Sequence, residues 1–286
     1  MKFSLAATSA LLLTAFATLA KADEYADAMK EWCDGLTVTK PDDQAMIAAG
    51  AETDVTVTRV PNDHQKTITG LDLYSVDQNG KAKYIKNVWH GSYELNQQST
   101  IKDTIPSNAT AGLYYYRVWV TNQINGMHGP DCLETSHTFR VSTASHQNAD
   151  GSMYYAEDPD DVTFYHPEHF KGCFGLSVEY PQEGATVKTG EHVRISVNRD
   201  SASQTESLLK VDLYKSTEAN KAEYIDTVWE GKERFVDAFT LKDHLSIPDG
   251  QYDADATYYY TLEVTSNKVQ DETCTFHSQG FKVQKN

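Results

Sequence analysis

The sequence is short of several things, and each shortage closes a class of protein. Past residue 22 it has no long apolar run, so no membrane-spanning helix is expected. Basic residues are few: 25 Lys and Arg stand against 41 Asp and Glu, a formal charge of −16. So acidic a chain repels phosphate backbones and anionic bilayers, which argues against nucleic acid and against membrane surfaces as partners. Cysteine occurs four times and never as C-x-x-C, so a zinc ribbon is not expected. Helical periodicity is nearly missing, beyond a short turn around Tyr25 to Trp32. The closing FKVQKN lacks the hydrophobic tail of a GPI signal.

What is present begins with residues 1–22. Lys2, the apolar SLAATSALLLTAFATLA and the Ala20-Lys21-Ala22 site have the make-up of a secretory signal peptide. Its removal takes Lys2 and Lys21 with it and moves the formal charge from −16 to −18. A soluble, extracellular or wall-held protein of about 264 residues is the expectation, a length that suits two domains.

The remainder repeats itself. LDLYSVDQNGKAKYIKNVWHG at 71–91 aligns without a gap on VDLYKSTEANKAEYIDTVWEG at 211–231, with 10 of 21 positions identical. The same offset of 140 relates Cys33-Asp34-Gly35-Leu36 to Cys173-Phe174-Gly175-Leu176, and Ile101-Lys102-Asp103 to Leu241-Lys242-Asp243. Further on it drifts by a few residues. Tyr114-Tyr115-Tyr116 then meets Tyr258-Tyr259-Tyr260, and Phe139-Arg140-Val141 meets Phe281-Lys282-Val283. A period this long is a duplicated domain rather than a solenoid. Four cysteines allow three pairings. A duplicated module carries its own bridge, so Cys33–Cys132 and Cys173–Cys274 are expected. Each closes a loop of about 100 residues, worth up to ~4–5 kcal/mol in the chain-entropy description.

The apolar period is two. Val193, Ile195 and Val197 alternate with Arg194, Ser196 and Asn198, and Leu71 and Leu73 alternate with Asp72 and Tyr74. Turn residues punctuate the runs at Gly50, Asn79-Gly80, Gly91, Gly184, Gly190 and Pro248-Asp249-Gly250. The pattern predicts an all-β protein of two tandem immunoglobulin- or fibronectin-like antiparallel sandwiches, at 23–145 and 171–286, joined by an acidic linker at 146–170. The cysteines lie at the module edges and not on two facing core strands, unlike those of an antibody domain.

Tyr180-Pro181, Gly184, Gly190, the strand VRISV, then VDLYK, YYYTLEVTS and the closing GFKV resemble the fungal Ig-like module of yeast cell-wall-synthesis proteins. The same module heads many Ser/Thr-rich GPI-anchored fungal proteins. The first copy keeps Pro41 and Gly50 and lacks the first glycine. Val197 stands where a tryptophan is often found, and the Ser/Thr-rich stalk is missing. The resemblance spans about three-quarters of the chain. It implies a secreted, wall-associated, non-catalytic module with cell-wall polysaccharide or a surface glycoprotein as partner.

No catalytic constellation emerges, and no cofactor is implied. His166-Pro167-Glu168-His169 has H-x-x-H spacing, but the proline argues against a helical metal pair, so no metal is expected. The acidic run at 157–161 lacks the ligand spacing and central glycine of a calcium loop. The expected mature N-terminus, Asp23, is not the histidine of a copper brace. The binding hint is aromatic. In LYYYRVWV, alternation puts Tyr114, Tyr116, Val118 and Val120 inside and Tyr115, Arg117 and Trp119 outside. Flat rings stack on sugars, and a guanidinium donates to hydroxyls or carboxylates. The second copy offers Tyr259, Thr261 and Glu263. The competing expectation, which weighs more, is that this row covers the sheet or packs against the other module. Trp89 and Trp229 share one register and are expected in the cores. Asn108-Ala109-Thr110 is the sole N-glycosylation sequon.

Overall fold

The computed structural model describes residues 28–29, 31–143, 149–150, 166–200, 203–217, 221–235, 238–268 and 272–285. The expected signal peptide at 1–22 and the acidic run at 157–161 lie outside these. The fold is all-β: two sandwiches in tandem.

In the first, β1 (Leu36–Lys40), β3 (Glu52–Arg59) and β6 (Gln98–Thr104) form one antiparallel sheet in the order β1-β3-β6. The facing sheet runs β2-β10-β7-β4-β5, from β2 (Met46–Ala48), β4 (Gln65–Val76), β5 (Ala82–Glu94), β7 (Gly112–Ile124) and β10 (Phe139–Ser142). Two short strands, β8 (Met127–His128) and β9 (Cys132–Thr135), also pair with β7. Alternation sets the core: Val55 and Val57 from one sheet meet Leu71, Leu73, Tyr116 and Val118 from the other, all buried. Apolar area removed from water at about 25 cal/mol per Å² is what holds the layers together.

The second sandwich repeats the first. β11 (Leu176–Tyr180), β12 (Thr186–Lys188), β13 (His192–Arg199), β14 (Thr205–Ser216), β15 (Ala222–Arg234) and β16 (Ala238–His244) each lie 140 residues after their counterparts β1 to β6. β17 (Thr257–Ser266), β18 (Thr273–His277) and β19 (Lys282–Gln284) match β7, β9 and β10. Its sheets run β11-β13-β16 and β15-β14-β17-β18, with β12 paired to β19. The bridges are Cys33–Cys132 and Cys173–Cys274, one in each module.

The modules touch. A one-turn helix, α1 (Pro167–Phe170), leads into the second, and the Phe170 carbonyl accepts from Thr138 Oγ1 at 2.7 Å. The Gly175 amide donates to the Gly80 carbonyl at 2.7 Å. Gln204 Nε2 donates to the Ser136 carbonyl at 2.8 Å and to Thr135 Oγ1 at 3.1 Å, and Lys268 Nζ donates to the Thr135 carbonyl. Phe174 is buried in a small cluster with Val76, Leu113 and Tyr115 of the first module.

Candidate functional site

The outer face of β4, β5 and β7 carries the expected aromatic row, and its three members fare differently. Trp119 sits opposite Gly70 of β4 and Leu133 of β9. With no side chain at 70, the indole leans over β4; a Cβ there would lie 3.1 Å from its Cδ1. The indole Nε1 donates to Asp72 Oδ2 at 3.0 Å. Asn87 Nδ2 of β5 donates to the other Asp72 oxygen at 2.9 Å. Both Asp72 oxygens therefore work to hold a ring and an amide in place. Trp119 remains 39% exposed.

Arg117 and Tyr115 correct the expectation of an open row. Both side chains are on the outer face, as the alternation requires, but that face is covered there. Arg117 is 5% exposed. Its guanidinium lies 5.1 Å from the Tyr74 ring centre and 5.2 Å from that of Trp119, and Nη1 donates to Tyr74 Oη at 3.2 Å. It backs the indole rather than meeting solvent. Tyr115 is fully buried, stacked on Tyr74 at 5.5 Å and capped by Phe174 at 5.3 Å. Burial pushes its phenol pKa upward, so the hydroxyl stays neutral. A neighbouring module has taken that end of the row, and the part left open is Trp119, Asp72, Asn87 and Tyr84. Tyr84 is 53% exposed and meets Tyr74 edge-on at 5.6 Å. Alternation marks Asp72 as outward-facing in the sequence. Its partnership with Asn87 and Trp119 depends on a β4–β5 register that is shifted at three places, which no single-strand pattern reveals.

Tyr259 occupies the equivalent of the Tyr115 position. It stacks on Tyr214 at 5.9 Å, which in turn meets Tyr224 edge-on at 5.7 Å, repeating the geometry of the first module. Here no ring among the described residues caps it as Phe174 caps Tyr115. Tyr259 is half-buried, His277 meets it edge-on at 5.8 Å, and burial raises its pKa. Glu263 and Thr261 take the positions of Trp119 and Arg117, so the tryptophan site belongs to the first module alone.

Asn108 is exposed in the β6–β7 loop, a position open to an enzyme that modifies it. A shallow groove of about 320 Å³ lies beside Arg59 and Lys66. Its cations are committed: Arg59 donates to Asn62 and to the Leu95 carbonyl, and Lys66 to Asn122 and to the Trp32 carbonyl. Among the described residues no helix is long and apolar enough to cross a membrane.

No family model matches the chain, and no curated protein matches it. Among solved structures, the fibronectin(III)-like modules of Clostridium thermocellum CbhA are similar over 87% of this chain and 94% of that one, with 11% identity and a TM-score of 0.23. A likeness of that size carries no argument about ligand or activity, and the fold is read from the sheets themselves.

Proposed function

We propose that the chain is a secreted, non-enzymatic protein of the fungal cell wall or cell surface that binds polysaccharide through the outer face of its first module. The observation that carries this reading is the half-open indole of Trp119. It is fixed by Asp72, backed by Arg117 and rimmed by the exposed Asn87 and Tyr84. A preset ring loses little freedom when a pyranose stacks on it, and the carboxylate and amide beside it can exchange hydrogen bonds with sugar hydroxyls.

The test is retention on insoluble chitin, chitosan and β-glucan. Trp119→Ala removes a stacking face of the kind worth ~0.5–1.5 kcal/mol beyond burial, so retention should fall severalfold in a variant that stays folded, with a melting temperature lowered because Arg117 loses its cover. If the variant is retained like the wild type on all three, the indole is not a sugar platform. Retention on chitosan alone that vanishes with salt would point instead to the acidic charge.

One observation favours a second reading, a secreted effector or adhesin that binds a protein on another cell. The Tyr214–Tyr224–Tyr259 face of the second module repeats the face on which Phe174 is seated in the first. It suits an aromatic side chain from a partner protein. Under this reading Tyr224→Ala weakens surface binding while Trp119→Ala leaves it intact.

A further inference from the structure

The segment entering the second module holds a group of donor side chains that sugar or protein binding leaves unused. Pro167 is the reason they converge. It occupies the first turn of α1, where its missing N–H is no loss. His166 therefore becomes the N-cap, and His169, three residues on, lies over the same side of the turn. The proline that argues against this motif in the sequence is what permits its geometry.

His166 Nδ1 is 3.1 Å from Glu168 Oε1, and His169 Nε2 is 4.0 Å from the same oxygen. One ligand atom from each of the three residues lies within 4.8 Å of the others. The two imidazoles stack at 4.8 Å with 21° between their planes. Tetrahedral zinc with bonds of about 2.0–2.2 Å sets neighbouring ligand atoms about 3.3 Å apart, so small side-chain rotations close these three on one ion. The surroundings of His169 preset one of the three ligands. The His169 side chain is 9% exposed, and its Nδ1 is buried without a hydrogen-bond partner in the structure. Burial holds that ring with Nε2 toward Glu168, so little side-chain freedom is lost when a cation binds there. In addition, the Nε2 edge of the His169 ring packs against Gly80 in the β4–β5 turn, where only a glycine leaves room for the ring. A Cβ at 80 would stand 2.9 Å from that nitrogen.

We propose that His166, Glu168 and His169 form a three-ligand site for a divalent cation of the zinc class in the segment entering the second module, with His169 seated against the β4–β5 turn of the first. Two imidazoles and one carboxylate are a borderline donor set. Calcium and magnesium, which take six or more oxygens, are excluded by ligand type. His166 and Glu168 are on the solvent side, so the fourth position is open to water.

The experiment uses the full secreted chain, free of any histidine tag and stripped with a chelator, titrated with zinc chloride by calorimetry. One saturable site at micromolar or tighter affinity is expected, together with a zinc-dependent rise in melting temperature. Cobalt(II) in its place should give the intense visible bands of a four-coordinate site. His166→Ala and Glu168→Gln alter solvent-side groups and keep the fold. Each should weaken zinc binding at least tenfold and abolish the melting shift. His192→Ala is the control, because His192 and His244 form another close imidazole pair, with ring centres 5.0 Å apart across β13 and β16. Binding that survives His166→Ala, or that only His192→Ala removes, overturns the proposal. So does a wild-type chain that stays folded and takes up no zinc below millimolar concentrations.

Discussion

One tyrosine in each module shows how a single side chain serves packing and polarity together. Tyr116 and Tyr260 are fully buried and stack on Phe139 and Phe281, both at 5.5 Å. Each hydroxyl donates to an aspartate of the facing sheet, Tyr116 to Asp103 at 2.8 Å and Tyr260 to Asp243 at 2.7 Å. Each backbone amide donates to a serine, Ser136 or Ser278, at 2.9 Å. The aspartates differ in their neighbours. Asp103 accepts from Lys86 Nζ at 2.5 Å. At the position equivalent to Lys86 the second module has Asp226, and the Asp243 carboxyl is pushed above the usual range, first by burial and then by that negative neighbour. A carboxyl with a raised folded pKa holds its proton more tightly when folded. Its contribution to stability is therefore complete below the unfolded pKa and is lost as pH rises through the folded one. Asp243→Asn should stabilise the second module at neutral pH and remove that part of its pH dependence. Asp103→Asn should destabilise the first module by about 1–3 kcal/mol, because Lys86 loses its partner. Hydrogen exchange on β7 and β17 at pH 4.5 and 7 reads each module separately. Equal effects of the two changes would refute this account.

Among the elements, β5 and β15 explain the most persistent words of the repeat, VWHG and VWEG. Trp89 and Trp229 pack at the margins of the two cores. Each indole folds back over the glycine two residues on: a Cβ at Gly91 would be 2.7 Å from Trp89 Cζ2, and one at Gly231 2.9 Å from Trp229 Cζ2. The glycines are there for room. The pairing around them is irregular at matching places, with register shifts at Ile68/Gly70, Leu71/Asp72 and Leu73/Tyr74 and again 140 residues later. Such irregularities bend and twist a strand pair, and they swing the long β4–β5 and β14–β15 ribbons about their cores. Gly91→Ala or Gly231→Ala should force the indole aside and cost about 1–3 kcal/mol, as overpacking does. Denaturant unfolding at unchanged m-value would measure it. An unchanged midpoint for both would mean that the indole moves away freely.

For the whole molecule, the decisive residue is Phe174. It is 1% exposed, caps Tyr115, and precedes the Gly175 amide that bonds to Gly80. The first module has Asp34 at that position, so only the second can be seated this way. Phe174→Ala should cost about 3–5 kcal/mol at the junction, as loss of a buried aromatic does. The wild-type modules should melt together and those of the variant in two transitions, and the Tyr115 ring should become accessible to solvent. A calorimetric trace that keeps the wild-type shape would show that the junction does not couple the modules.

The sequence by itself determined the class of fold, the duplication and the pairing of its four cysteines. These depend on local alternation and on comparing the chain with itself, and both are written in linear order. Alternation also assigned Tyr115, Arg117 and Trp119 to the outer face of β7. It could not say which of them meets water, because that depends on what lies across the sheet surface. Phe174 arrives there from 59 positions further along the chain and closes over Tyr115, while Tyr74 and Trp119 close over Arg117. The meeting of Trp119 with Asp72 and Asn87 came from a strand register that bulges shift, and the convergence of His166, Glu168 and His169 came from a single helical turn beginning at a proline. Burial of an outward face and the gathering of donors are properties of three-dimensional neighbours, so the tertiary structure alone decided them.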